Sequence, residues 1–289
     1  MLGVLDNFLN KFSLYRLTLY FLIGLVLAAF TLSIFGSLPF GPGDILLSTL
    51  IILVTGIITN YIFSSIFHAR TNIESVCITL LILTLIIPIK FPTDLLFALL
   101  AAILAIASKY LLTVEKRHIF NPVAVSAVAI ALLYPDKGAI WWIGTPTMLP
   151  FVILGGLLLI RKIKGGSLAF TFLTTYLVAT AIGTLLHTGS LSDVLTGWYL
   201  SLTHSALLFF MFVMLTEPLT SPANKQKRLY FAVLVALLYS TLQLRIFGIS
   251  FTPEIALCFG NIFAYFVRFR KTVPEQILNN QSEGLGTPA

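Results

Sequence analysis

Ten apolar runs fill almost the whole chain, each near the roughly 20 residues that a helix needs to cross a bilayer. They fall at about residues 17–35, 45–67, 73–89, 93–112, 121–135, 140–160, 167–186, 193–215, 229–244 and 253–269. Inside hydrocarbon every backbone N–H and C=O must find a partner, and a helix supplies those partners within a single segment. Of the 289 residues 58% are hydrophobic and 10% charged, against roughly a quarter charged in soluble domains. The expected fold class is therefore an all-α integral membrane protein with about ten transmembrane helices. The third, fifth, ninth and tenth runs are short, which suits tilted, broken or neighbour-shielded segments. No remaining stretch is long enough for a soluble domain.

Lys and Arg concentrate in cytoplasmic loops, so their distribution tests the count. With ten spans, the N-terminus and every even-numbered connection share one side. That side holds Lys11, Arg16, Arg70, Lys109, Lys116, Arg117, Arg161, Lys162, Lys164, Lys225, Lys227, Arg228, Arg268, Arg270 and Lys271. The other side holds Lys90, Lys137 and Arg245, a ratio of fifteen to three that one missed span would destroy. Localisation in the cytoplasmic (inner) membrane, multi-pass with both termini cytoplasmic, is expected. This bias also explains the net charge of +7. The basic residues form no aromatic-interleaved stripe, so the partner is the lipid bilayer and no nucleic acid is expected. Trp141, Trp142 and Trp198 fall near the expected outer ends of spans, where amphipathic rings prefer to sit.

Two short strings recur five spans apart. "LTLIIP" (Leu83 to Pro88) closes the third run and "LTEPLTSP" (Leu215 to Pro222) closes the eighth; "FNP" (Phe120 to Pro122) opens the fifth and "FTPE" (Phe251 to Glu254) opens the tenth. Five is odd, so two such halves face opposite ways, as inverted repeats do, and Pro-interrupted segments of this kind hold ligand sites in transporter-type folds. The chain divides into a cytoplasmic N-terminal segment (1–16), a first membrane repeat (17–135), a second (136–271) and a flexible cytoplasmic tail (272–289). No small-residue cleavage site follows the first run, so it is expected to remain as a span. Cys77 and Cys258 lie inside apolar runs without ligand spacing, and no metal site is expected.

The ordered strings "ESVCITLLILTLIIP" (Glu74 to Pro88), "RHIFNPVAVSAV" (Arg117 to Val128), "ILGGLLLIRKI" (Ile153 to Ile163) and "GWYLSLTHSALLFFMFVMLTEPLTSP" (Gly197 to Pro222) resemble the RnfD/NqrB family. Its members are membrane subunits of the Rnf electron-transport complex and of the sodium-translocating NADH:quinone reductase. The resemblance implies ten helices in two inverted five-helix repeats, a urea-transporter-like fold. It also implies electron transfer through membrane-embedded flavin, coupled in the large complexes to sodium or proton movement. One departure stands out. The family attaches FMN to the last Thr of a Ser/Thr-Gly-Ala-Thr motif before the sixth helix, where this chain has "WWIGTPTMLP" (Trp141 to Pro150). The leading Ser/Thr is missing and Pro146 stands at the acceptor place. Thr145 and Thr147 are the degenerate attachment candidates, ordinary turn residues are the plainer reading, and no covalent FMN is expected.

The cofactor implied is a noncovalent flavin, riboflavin or FMN. By resemblance Asn121 and Pro122 border its site near the cytoplasmic side. An amide both donates and accepts, as an isoalloxazine edge requires; equally, Asn followed by Pro is a favoured helix start. His118 faces either that site or the headgroups. Glu217, with Thr216 and Ser221 beside it, is either a flavin or ion station at membrane depth or an interfacial acid paired with Lys225, Lys227 or Arg228. Glu74 and Glu254 read as acids at helix N-termini, and His204 as a buried ring bonded to Ser201 or Ser205. Neither a dinucleotide-binding Gly-rich loop nor a Cys cluster is present, so the chain has no complete active site of its own and would work with other membrane or flavin/iron-sulfur redox subunits. Two functions remain open: a membrane electron-transfer subunit, and a small-solute channel or transporter on the same inverted-repeat scaffold.

Overall fold

The computed structural model describes residues 2–87, 90, 93–115, 117–135, 138–240 and 251–269. Lys116, Lys137, Arg245, Arg270 and Lys271 among the counted cations, Pro88 of the first repeated string, and the tail 272–289 lie outside the described residues.

The described chain is nearly all helical. Twelve α-helices follow in order: α1 (Leu2–Asn10), α2 (Leu14–Ile34), α3 (Pro42–Ile66), α4 (Ile73–Ile86), α5 (Leu95–Leu111), α6 (Pro122–Leu133), α7 (Leu149–Ile163), α8 (Gly166–Thr188), α9 (Leu191–Thr203), α10 (Leu207–Phe209), α11 (Lys225–Ser240) and α12 (Pro253–Phe269). Two-residue strands, β1 (Thr113–Val114) and β2 (Arg117–His118), make a small antiparallel hairpin between α5 and α6. Three helices, α2, α3 and α8, are long and apolar enough to cross a membrane. A fourth candidate is the pair α9 and Leu207–Met214, bent by 61° at its break. The shorter apolar helices α4, α5 and α6 have 14, 17 and 12 residues. Each of the ten apolar runs contains one of these helices or the broken pair. The sixth run differs from its expected extent, because helix begins only at Leu149; Trp141 adopts a left-handed backbone (φ 51°) and a 3-10 turn, Trp142–Gly144, follows.

Local chemistry sets the helix starts. The side chains of Ser13, Asn72, Asn121 and Ser190 accept backbone N–H groups at the first turns of α2, α4, α6 and α9, which satisfies donors that a helix leaves orphaned. Proline occupies the first turn of α3, α6, α7 and α12, where its missing N–H costs nothing. Small residues bring helices together: Ala98, Ala101, Ala102 and Ala105 of α5 are fully buried, and Ser126 Oγ of α6 donates to the Ala101 carbonyl at 2.7 Å, the kind of close polar contact that membrane helices use. Large apolar side chains such as Leu27, Ile34, Leu132 and Leu186 point outward and are exposed, as a lipid-facing surface requires.

The eighth run breaks at His204–Ala206 and continues as α10 and a π-helical turn, Phe210–Met214. Ser205 patches the break: its hydroxyl donates to the Ser201 carbonyl at 2.5 Å and accepts Leu207 N–H at 3.2 Å. Gly144 lies directly against this break, so closely that a Cβ there would fall 2.4 Å from the Ser205 carbonyl carbon. Further along the chain, Phe212 packs over Gly156 of α7.

Cations tie helix ends together. Arg16 pairs with Glu74 at 2.9 Å, Arg161 of α7 holds Asp6 of α1 at 2.7 Å, and Lys162 donates to the Leu9 carbonyl at 2.9 Å. Lys227 reaches the Val267 carbonyl of α12 at 3.2 Å. The Arg161 guanidinium holds the Asp6 carboxyl below the usual aspartate range. That tie is present above the ordinary pKa of an aspartate and is lost as pH falls through the lowered value.

Replacing Gly144 with Ala forces the 3-10 turn away from the Ser205 backbone and is expected to cost about 1–3 kcal/mol, the usual range for overpacking. Gly183→Ala in α8, where a Cβ meets nothing within 4 Å, serves as the control. Thermal unfolding in detergent should show a lower midpoint for Gly144→Ala alone.

Candidate functional site: a polar joint beside an apolar cavity

The connection from α5 to α6 builds the site. The hairpin pairs Thr113 with His118 and Val114 with Arg117, and Glu115 turns the chain with φ 50°. Burial alternates along β2, Arg117 being exposed and His118 buried, as neighbouring strand residues do. Three residues on, Asn121 is 2% exposed. Its Oδ1 accepts the N–H groups of Val123 and Ala124 at 3.0 and 3.1 Å, so the residue is a helix cap. Its Nδ2 donates to Glu217 Oε2 at 2.8 Å, so it is also a tether.

Glu217 gathers three partners, two from the α5–α6 connection and one from its own loop. Besides Asn121, Thr220 Oγ1 donates to Oε2 at 3.2 Å, and His118 Nε2 lies 3.3 Å from Oε1. That contact is a hydrogen bond when the ring carries a proton on Nε2. Asn261, in the middle of α12 and fully buried, closes the joint from the other side: its Oδ1 accepts Asn121 N–H at 2.8 Å and its Nδ2 donates to the Thr220 carbonyl at 3.2 Å. Arg268, two turns further along α12, donates to the carbonyls of Leu219 and Ser221 at 2.8 and 3.2 Å. The loop after the π turn is thus pinned by α6 and α12 together.

Burial pushes the Glu217 carboxyl up, but the hydrogen bond and charge of His118, the charge of Lys109 and the Thr220 hydroxyl outweigh it, and the net shift is downward from the usual carboxylate range. The group is therefore a carboxylate at neutral pH. Lys109 stands behind this arrangement, donating to Ser75 O and Oγ at 2.8 and 3.1 Å.

The joint forms one wall of a cavity of about 880 Å³, its open mouth included. The first turns of α2, α4 and α6 converge on it with the end of α7, the π turn and residues 216–219. Ile78, Ile82, Leu159, Phe212 and Val213 make its walls apolar, while Tyr15, Ser75, Asn121, Thr216 and Glu217 supply polar groups. A mostly apolar recess with a few convergent polar groups is the usual form of a small-molecule site. Among the candidates named from sequence, Asn121, Pro122, Thr216 and Glu217 line this cavity. His118 reaches it only through Glu217. Ser221 lies just behind, with its N–H on the Glu217 carbonyl at 3.1 Å, and Thr216 turns its hydroxyl back to the Phe212 carbonyl at 2.7 Å. The expected pairing of Glu217 with Lys225, Lys227 or Arg228 is replaced by the His118–Asn121–Thr220 set.

Thr145 and Thr147 are elsewhere. Thr147 Oγ1 lies 3.4 Å from the Ser37 carbonyl, beyond the C-terminal end of α2, whereas the cavity sits at that helix's first turn. The 21 residues of α2 separate the two places by about 30 Å at 1.5 Å per residue. Thr145 Oγ1 is buried and has no hydrogen-bond partner among the described residues.

One further expectation needs correction. His204 is exposed and bonds Thr203 Oγ1 at 2.7 Å, not Ser201 or Ser205, because it falls at the helix break. Trp141 and Trp142 are buried within the bundle at the end of α4: Trp142 Nε1 donates to the Thr84 carbonyl at 2.9 Å, and Trp141 Nε1 donates to Glu254. Glu254 is 4% exposed, so beyond opening α12 it is a buried carboxylate held by that indole. Asn261 and Lys109 were missed as site residues. The signal for Asn261 was present, a lone amide inside an apolar run.

No protein-family model matches this chain, and no curated protein matches it.

Glu217→Ala removes the acceptor shared by Asn121, Thr220 and His118 and is expected to cost about 2–3 kcal/mol through the unpaired donors it leaves. A group with a depressed folded-state pKa stabilises above its unfolded pKa, and that contribution fades as pH falls through the lowered value. The difference in thermal midpoint between wild type and Glu217→Ala should therefore shrink on acidification below the ordinary glutamate range.

Proposed function

We propose that the chain is a membrane electron-transfer subunit that holds a flavin noncovalently in the cavity beside Glu217 and relays electrons within or across the membrane. One coincidence carries this reading. The residues singled out by the resemblance to the RnfD/NqrB family, Asn121, Pro122, Thr216 and Glu217, line one mostly apolar cavity in which a few polar groups converge, the lining that small-molecule sites have.

The residues present fit such a group. Phe212 and Tyr15 offer rings and Ile78, Ile82 and Leu159 flat apolar contact. A flavin ring edge alternates donors and acceptors, and the cavity answers with both kinds. Glu217 is an oriented acceptor, Ser75 and Tyr15 carry hydroxyls, and Asn121, whose oxygen is taken up by capping, retains one amide N–H. Asn121 then acts largely by positioning Glu217. When bound, the flavin supplies one- and two-electron redox chemistry. The chain's own part is to bind the ring, orient it and exclude water. Electron donor and acceptor belong to partner subunits, since neither a dinucleotide loop nor a cysteine cluster is present in the sequence.

The architecture proposed with it is ten spans in two inverted repeats with both termini cytoplasmic. The cavity is built from the starts of α2, α4 and α6 and the ends of α7 and the π turn, which is the parity that alternating spans give. Arg16, Lys109, Arg161 and Lys162 bond at that same end, and the cation bias makes it the cytoplasmic one. The joints also correspond. Shifted by about 131 residues, the Asn121–Glu217 pair lands near Glu254 and on Ile86. Trp141 links those two, its indole donating to Glu254 and its backbone N–H to the Ile86 carbonyl at 3.0 Å. The buried, unpartnered Thr145 Oγ1 is poorly placed to carry a phosphodiester, which favours noncovalent binding.

Protein purified in mild detergent with lipid should be yellow, and denaturation should release the flavin while the chain keeps its unmodified mass. Asn121→Leu and Glu217→Gln should each lower flavin retention at least several-fold without preventing insertion. A correctly inserted, colourless wild type that cannot be loaded with riboflavin or FMN contradicts the assignment and favours a solute channel on this scaffold.

A further inference from the structure

A second concavity, about 850 Å³ with its mouth, opens next to the first, between the hairpin and the last turns of α12. Leu219 lines both, and the His118–Glu217 contact stands between them. The character of the second is different. Arg117, His118 and Arg268 bring basic groups to it, Thr220 and Tyr265 add hydroxyl-bearing side chains, and the exposed Glu115 is the one carboxylate in its lining. Arg268 is pre-positioned, because both of its backbone bonds leave from Nη2 and the Nε and Nη1 edges of the guanidinium face no described partner. Arg117 lies on β2 and forms no ion pair among the described residues. Two guanidiniums sharing one recess repel each other, and an anion between them relieves that repulsion.

The recess sits at the last turns of α12, an apolar helix whose exposed residues Phe259, Ile262 and Phe266 lie on the face away from Arg268. A basic recess at the end of an apolar helix suits a ligand with a phosphate at one end and an apolar body at the other.

We propose that Arg117 and Arg268, with Tyr265 beside them, form a phosphate-binding basin, the Thr220 hydroxyl proton being held by Glu217. The guanidinium fork suits a phosphate because two parallel N–H groups meet two oxygens. Two sources carry this chemistry. One is the headgroup of an anionic phospholipid seated at the end of α12. The other is the phosphate end of a flavin mononucleotide whose ring occupies the adjacent cavity, and this second source rests on the flavin reading above.

The test uses the full chain in nanodiscs of phosphatidylcholine containing a minor fraction of phosphatidylglycerol, comparing wild type with Arg117→Gln and Arg268→Lys. Native mass spectrometry counts retained phosphatidylglycerol, and fluorescence titration compares FMN with riboflavin. Arg117→Gln, which removes no side-chain bond among the described residues, should weaken phosphate-dependent binding roughly tenfold, the size of one charge-assisted contact. With a lipid source, retained phosphatidylglycerol falls and FMN and riboflavin bind alike throughout. With a flavin source, wild type prefers FMN over riboflavin and Arg117→Gln loses that preference while its riboflavin binding holds. A colourless protein whose phosphatidylglycerol retention depends on Arg117 keeps the basin and removes the flavin reading. Folded variants that retain as much phosphatidylglycerol as wild type and show no change in FMN preference overturn the basin.

Discussion

The arrangement depends on one amide. Asn121 caps α6 with its oxygen, tethers Glu217 with its nitrogen and offers its backbone N–H to Asn261. In water these bonds would compete with solvent and be worth little. Within an apolar bundle the alternative is an unpaired polar group, so each bond fixes geometry as well as contributing energy. The loop 215–222 cannot continue as helix past Pro218, and it is this joint that gives its freed backbone and its carboxylate somewhere to go. The cavity follows from it: the chain turns away from the bundle at Glu217, and the first turns of α2 and α4 do not fill the space left beside it.

The same logic operates at the other end of the bundle with different residues. There Trp141 and Trp142 plug the end of α4 through the Ile86 and Thr84 carbonyls, and Glu254 takes the Trp141 indole. Two elbows that resemble each other in sequence are therefore stabilised by different chemistry, amide and carboxylate at one, indole and carboxylate at the other. Among the described residues the first borders a recess, and the buried indoles pack into the second.

Much of this was legible in the sequence. Long apolar runs located the helices, Asn-Pro located the start of α6, and the Glu-Pro break located the end of the eighth run, since each signal is local. What was hidden is what tertiary packing decides. Two of the three partners of Glu217 come from positions 96 and 99 residues away, which is why the sequence left open whether this acid pairs with Lys225, Lys227 or Arg228 or faces a site. The burial of Trp141 and Trp142 depends on contacts with α4 and α12, which sequence spacing does not encode. His204 looked buried because an apolar run gave no warning of a 61° bend. Asn261 was visible as an oddity, and its role became apparent only once α12 was placed against α6.

A map of the protein in a lipid nanodisc, at a resolution that shows side chains, tests the central claim most directly. The account predicts planar three-ring density in the cavity between Phe212 and the first turns of α2 and α4, with its polar edge against Glu217. A map in which the Asn121–Glu217–Asn261 joint is resolved and the cavity holds only water or acyl chain, after preparation with excess riboflavin and FMN, would contradict it.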